Sequence, residues 1–345
     1  MNIVVLSKNY EEYTSGYYHQ DIVDALCSQG NVFLYGSGYR DYDSKDDILD
    51  VFEKSPFGQK DIDLIVCSTS WDEDGSEVTV NPHQNIDFSN IKNIPKVYFL
   101  NKEYKKLDLR FEYIKKQKFD LICTVHPNAK KWEKETGFKF MYLPFGVSLD
   151  RFKDFGLKKK YDFSFTGGLH KTHTDSRFMV KKQLFKEGSL NVMSNRGLSV
   201  LFKKSPLNDK YKKYRIYWAE WGSRDYNLRS MLPRGGKYAE FMSQSKVFLN
   251  TPSAIGIFNT RFFELMAVKS LIFCPESNSY GGILKDGYNC VMYKQDMSNF
   301  NEKLIQCIED EEFRECIVNN AYNDVKVHSY NERVKSLLNY IKDFS

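Results

Sequence analysis

The sequence predicts an α/β fold built as two doubly wound domains, and three observations carry that expectation. Short β-branched runs alternate with amphipathic helical stretches along nearly the whole chain. The alternation breaks once, close to residue 150. The 345 residues match two domains at roughly 150 residues each. Strands that alternate with helices imply right-handed crossovers and mostly parallel sheets, with ligands held outside the carboxyl ends of the strands.

The first half reads as strand 3–6, helix 17–29, strand 32–35, helix 46–52, strands 63–67 and 96–100, helix 107–116, strand 119–124, helix 128–136 and strand 139–143. In the first helix Ile22, Val23, Leu26 and Cys27 recur at helical spacing, and Gly30 is its stop signal. Leu143-Pro144-Phe145-Gly146-Val147 and the charged stretch 150–160 then interrupt the pattern, which places a domain boundary there: 1–150 and 151–328. The second set opens with strand 161–166, ending in Gly167-Gly168. Helix 175–186, strand 190–193, helix 237–242, strand 247–250, helix 259–268 and strands 271–274 and 290–293 follow. Helices 297–308, 311–324 and 330–344 close the chain. The basic, aromatic stretch 195–234, with Trp218 and Trp221, reads as an irregular insertion.

Composition excludes several classes. With 41% hydrophobic residues, 23 Tyr and 26 Phe, the chain buries a core and is not disordered. No apolar run approaches the length of a bilayer span, and the start MNIVVLSKNYEEY lacks a basic segment before a long apolar one. A soluble, cytoplasmic protein without a secretory signal is expected. A net charge of +5 suits anionic small ligands and falls short of a nucleic-acid footprint. The basic clusters 102–118 and 203–215 read as solvated helix faces, or as a landing patch for an anionic surface or lipid-linked acceptor. Seven cysteines, none close-paired, read as free thiols in a reducing compartment.

Chemistry-bearing candidates lie at predicted strand ends. Thr14-Ser15-Gly16 precedes the first helix, where glycine lets a ligand approach the backbone; the other reading is a tight turn capped by Ser15. No GxGxxG follows, which disfavours a dinucleotide cofactor. Thr166-Gly167-Gly168, followed by His170, Lys171, His173 and Arg177, is a glycine turn plus cations before a helix, a seat for a diphosphate. His170 and His173 lack further ligands for a metal, and no metal site is expected. Asp72-Glu73-Asp74 reads as part of an acidic loop rather than a metal motif. Near Asn259 a helix begins whose start, capped by Asn259 or Thr260, offers N–H groups to an anion. There Arg261 neutralises phosphate charge and Glu264 takes sugar hydroxyls, unless the two simply pair at i,i+3. Glu103 and His126 follow strands on the predicted ligand side, as base or electrostatic stabiliser, or as a surface pair and a structural histidine.

Taken in order, these segments resemble the two-domain GT-B glycosyltransferases, in particular the family-4-like group and its CgeB-like relatives. The segments Tyr161-Asp162-Phe163-Ser164-Phe165-Thr166-Gly167, Arg261-Phe262-Phe263-Glu264-Leu265-Met266-Ala267, Asp286-Gly287-Tyr288-Asn289 and His328-Ser329-Tyr330-Asn331-Glu332-Arg333 carry the likeness. The first domain matches more loosely, at Gly16, Phe119-Asp120-Leu121 and Leu143 to Val147. The resemblance implies two Rossmann-like domains facing across a cleft, the first on the acceptor side and the second holding a nucleotide-diphosphate sugar. It also implies that segment 329–345 crosses back as a helix onto the first domain. It gives Glu264 the ribose, Asn259 and Thr260 backbone contacts to the diphosphate, and Arg177 and Arg261 its charge, beside Gly16, Gly167 and Gly168. Eight residues before Glu264, where the family places a first glutamate, stands Gly256. The implied reaction is metal-independent sugar transfer to a hydroxyl of a glycan or glycoconjugate, with retention and no cofactor beyond the donor. Two rivals stay open: a sugar-nucleotide epimerase of the same architecture, and a non-catalytic nucleotide- or carbohydrate-binding protein.

Overall fold

The computed structural model describes residues 1–11, 17–67, 80, 85–168, 175–186, 207–221 and 236–343. The chain forms two compact units, Met1–Ser148 with Ser329–Ser345, and Leu149–His328.

The first unit is a six-stranded parallel sheet of β1 (Asn2–Leu6), β2 (Asn31–Tyr35), β3 (Leu64–Cys67), β4 (Lys96–Leu100), β5 (Leu121–Thr124) and β6 (Phe140–Tyr142). Its order is β2-β1-β3-β4-β5-β6. Side chains alternate across such a sheet, so each strand feeds two cores. Val4, Leu6, Ile65, Cys67 and Tyr98 lie in one cluster, with residues of α2 (Ile48–Lys54), α3 (Leu107–Gln117) and α4 (Ala129–Thr136). Ile3, Val5, Leu64, Val66 and Val97 lie in the other, with α1 (Tyr17–Cys27) and the chain's last helix. The capping box of Asp47 and Asp50 starts α2 two residues later than the sequence pattern predicts.

The second unit is a five-stranded parallel sheet of β7 (Tyr161–Gly168), β8 (Ile216–Trp221), β9 (Ser245–Leu249), β10 (Leu271–Pro275) and β11 (Val291–Tyr293), in the order β11-β10-β9-β7-β8. Around it run α5 (Asp175–Leu184), α6 (Gly236–Ser243), α7 (Thr260–Ala267), α8 (Phe300–Glu309) and α9 (Glu311–Asp324). The edge strand β8 corrects the expectation of an irregular insertion over 195–234. Its Ile-Tyr-Trp-Ala-Glu-Trp run hides the usual β-branched signature, because Glu220 is matched there by Lys181. The rest of that segment that lies at 195–206 and 222–234, and the predicted strand 190–193, fall outside the described residues. Helix α8 starts at Phe300 rather than at 297, since Met297 takes φ 65, which an α-helix does not allow.

The last helix, α10 (Tyr330–Lys342), belongs to the first unit. Tyr330, Val334, Leu337, Leu338 and Ile341 recur at helical spacing and are buried with Val23 and Leu26 of α1. Ser329 caps it, accepting a hydrogen bond from the Glu332 N–H. Val147 and Ser329 form a parallel bridge, and the Tyr330 N–H donates to the Val147 carbonyl at 3.2 Å.

Candidate functional site

In the second unit the candidate residues converge on the carboxyl end of β7. Arg177, from α5, donates through Nη1 to the Gly168 carbonyl and through Nε to the Thr251 hydroxyl, each at 2.7 Å. Arg261, from the first turn of α7, donates through Nη1 to the Thr166 carbonyl at 2.7 Å. The Thr166 hydroxyl in turn shares a 2.8 Å hydrogen bond with the Tyr238 hydroxyl of α6. Two guanidiniums therefore meet one strand end. Desolvation, and after it the charge of Arg261, lower Arg177 to about 10. A guanidinium remains charged throughout the ordinary pH range, so the pair is a standing attraction for an anion.

The placement of Arg177 is built from the core outward. Trp218 is buried and packs its ring 4.3 Å from that of Phe165, and Arg177 lies 5.6 Å over the Phe165 ring. Trp218 is thus a core residue that positions the site. Glycine is required at 167 by close approach: a Cβ there would stand 2.8 Å from Phe165 Cζ and 3.2 Å from Arg177 Nη1.

Helix α7 starts without a side-chain cap. Asn259 occupies the N-cap position in extended conformation, but its amide is turned away, donating to the Thr251 carbonyl at 2.8 Å and accepting from Asn250 at 3.0 Å. The Asn259 side chain therefore caps none of the first N–H groups of α7, of which that of Phe262 turns to the Asn259 carbonyl at 3.3 Å, and the helix dipole adds partial positive charge. Glu264, one turn on, is buried, and burial pushes its carboxyl above the ordinary value while Arg261 and the Thr260 hydroxyl pull it back. Arg261 gives its Nη1 to the Thr166 carbonyl, while its charge still acts on Glu264. Gly256 takes φ 79 in a turn where Ile255 also has φ 53. A glutamate at 256 would be strained in that backbone, so the departure from the family pattern is set by the shape of the turn.

In the first unit Glu103 and His126 are joined through Thr124. The Thr124 hydroxyl donates to Glu103 Oε1 at 2.5 Å and accepts the His126 N–H at 3.2 Å. Glu103 is 2% exposed, and burial pushes its carboxyl up while Thr124, Arg110 and His126 draw it down. His126 Nδ1 accepts the Asn128 N–H at 3.1 Å. Sequence reasoning missed Arg110, whose guanidinium is buried inside the stretch taken for a solvated basic face. It also missed His19, which stacks on Tyr10 and Tyr18 at 4.9 and 4.2 Å and is held near 3 by burial and by Lys102. Gly16, His170, Lys171, His173 and the Asp72-Glu73-Asp74 run lie outside the described residues. Among the described residues no group of three His, Cys, Asp or Glu side chains is placed to hold a metal, and no helix is long and apolar enough to cross a membrane.

Residues 200–339, which include β8 and the whole Arg261–Glu264 segment, match the family described as glycosyl transferase-like. The whole chain has the GT-B fold, and its residues 200–339 are similar to the glycosyl transferase-like family. Solved structures share its fold from end to end. HepE of Anabaena, in complex with UDP-glucose, is 12% identical with a TM-score of 0.57, over 99% of this chain and 100% of HepE. A glycosyltransferase of Rickettsia africae is 11% identical with a TM-score of 0.58, over 99% of this chain and 98% of its own. TarM of S. aureus, 11% identical with a TM-score of 0.53, matches over 81% of this chain and 54% of its own length. No curated protein matches the sequence.

Proposed function

We propose that this glycosyl transferase-like protein moves a sugar from a uridine diphosphate sugar to a hydroxyl of a glycan or glycoconjugate. The observation that carries the reading is the convergence of Arg177, Arg261 and the uncapped start of α7 on the end of β7. As the bond between the anomeric carbon and the diphosphate breaks, negative charge grows on the leaving phosphate, and preformed cations and N–H groups stabilise it. Gly167 and Gly168 leave room for the diphosphate, Asn259 and Thr260 lend it backbone contacts, and Glu264 binds the ribose hydroxyls. UDP is the nucleotide of choice because HepE, of the same fold, is seen with UDP-glucose.

The second unit is then the donor side and the first the acceptor side. In the first unit Glu103 and His126 act on the acceptor, Glu103 as the carboxylate. Retention of configuration and independence of metal follow the family resemblance. An inverted product would make Glu103 the base that takes the acceptor proton.

Thermal unfolding with and without UDP tests the donor reading, because a ligand of the native state raises its melting temperature. A rise with UDP, followed by release of UDP and a glycosylated acceptor from UDP-glucose, is the expected result. Absence of any shift with nucleoside diphosphates overturns it. An epimerised donor without transfer would identify an epimerase, and binding without turnover a non-catalytic protein.

A further inference from the structure

Thr251 lies just beyond the end of β9 and is buried, as is Asn250 before it. The Asn250 N–H donates to the Phe273 carbonyl of β10 at 3.0 Å, so this part of the chain is still tied to the sheet. From there Thr251 reaches two other elements. Its hydroxyl oxygen accepts from Arg177 Nε of α5 at 2.7 Å, and its carbonyl accepts from the Asn259 side-chain amide at 2.8 Å. The oxygen of that amide accepts from Asn250 Nδ2 at 3.0 Å. Two consecutive residues therefore grip both ends of one amide, and that amide belongs to the N-cap residue of α7.

The grip closes segment 251–259 at its base. Inside it the Ser253 N–H donates to the Ile257 carbonyl at 2.9 Å, and the Gly256 N–H to the Ser253 carbonyl at 3.1 Å. A guanidinium can only donate, so the direction of the Arg177 bond is fixed, and its charge strengthens it. With Nη1 held by the Gly168 carbonyl and Nε by Thr251, the plane of the Arg177 guanidinium is set by two points. We propose that Thr251 is a positioning residue for the diphosphate: its hydroxyl aims Arg177 and its carbonyl, through Asn259, fixes the start of α7, so that both anion-binding parts of the site are set from one buried residue. This rests on the donor reading above.

NMR of the full chain, isotope-labelled at arginine nitrogen, tests the hydroxyl without any ligand. The Nε–H signal that Arg177→Met removes is expected to exchange slowly with water in wild type and in Thr251→Ser, and fast in Thr251→Val. Thr251→Ala serves if Thr251→Val does not fold. Calorimetry on the same proteins reads the ligand side: Thr251→Val is expected to weaken UDP about tenfold and uridine hardly at all, with Thr251→Ser close to wild type. In an Arg177→Met background the same change should cost nothing further. Asn259→Ala, which opens the other arm, should also weaken UDP more than uridine. Fast exchange in wild type, or slow exchange kept in Thr251→Val, overturns the proposal. So does an equal loss for UDP and uridine, or a full loss in the Arg177→Met background. Absence of UDP binding by wild type would overturn the donor reading, whereas the exchange of the Arg177 Nε–H would still decide whether Thr251 holds it.

Discussion

Arg177 and Arg261 come from different helices to carbonyls two residues apart on one strand, Gly168 and Thr166, each at 2.7 Å. Arg261 spends Nη1 on its carbonyl and also hydrogen-bonds the Tyr238 side chain. Truncation of either cation to Ala is expected to weaken UDP binding by about 2 kcal/mol, roughly thirtyfold. Calorimetry with UDP and with uridine compares them: the loss belongs to the diphosphate, so uridine affinity should hardly change. Equal losses for both ligands would place the cations elsewhere.

Gly167→Ala reaches the same site without removing a charge. The added methyl meets Phe165 and Arg177 and must push one of them aside. A stability loss of about 1–3 kcal/mol is expected from such overpacking. Weaker UDP binding should accompany it. Denaturant unfolding and UDP titration on one preparation read both effects.

Glu264 is held above the ordinary carboxylate range by burial. The folded state therefore binds its proton more tightly than the unfolded chain does. That contribution is full below the unfolded value and is lost as pH rises through the folded one. Glu264→Gln, which carries no charge, is expected to melt higher than wild type at about pH 7 and alike at about pH 4. The same variant should lose affinity for UDP while its affinity for 2′-deoxy-UDP stays close to wild type. Calorimetry across the two conditions, with both nucleotides, decides it.

Leu337 is fully buried under α10, between that helix and the first sheet. Leu337→Ala is expected to destabilise the protein by about 2–5 kcal/mol, as deep cavities do. The UDP affinity of the protein that remains folded should be unchanged. A loss of UDP binding in step with the loss of stability would contradict this.

Periodicity was enough to read the sheets, because β3 and β5 are short runs of buried apolar residues between helices with clear spacing. The strand β8 was illegible, since its Glu220 is tolerated through Lys181, 39 residues away, and through the indole N–H of Trp218. The start of α8 was misread because nothing in the residue Met297 announces a left-handed backbone. At the candidate site, Arg177, Arg261 and Glu264 could be picked out by residue type and by their place after strands. The supporting residues could not. Tyr238, Thr251 and Arg110 join the site through hydrogen bonds and burial that only the folded chain creates. The side chain of Asn259 looks like a helix cap in sequence, yet in three dimensions Asn250 and Thr251 claim it.

The Val147–Ser329 bridge has a practical meaning for the chain's connectivity. The segment from Leu149 to His328 departs from and rejoins neighbouring points of the first unit, like a loop of thread knotted at a single stitch. Excising it should leave two ends close enough to splice with a few glycines. The second unit, so freed, is expected to be exchangeable for a homologous one, and such a chimaera would test whether donor preference travels with it as proposed.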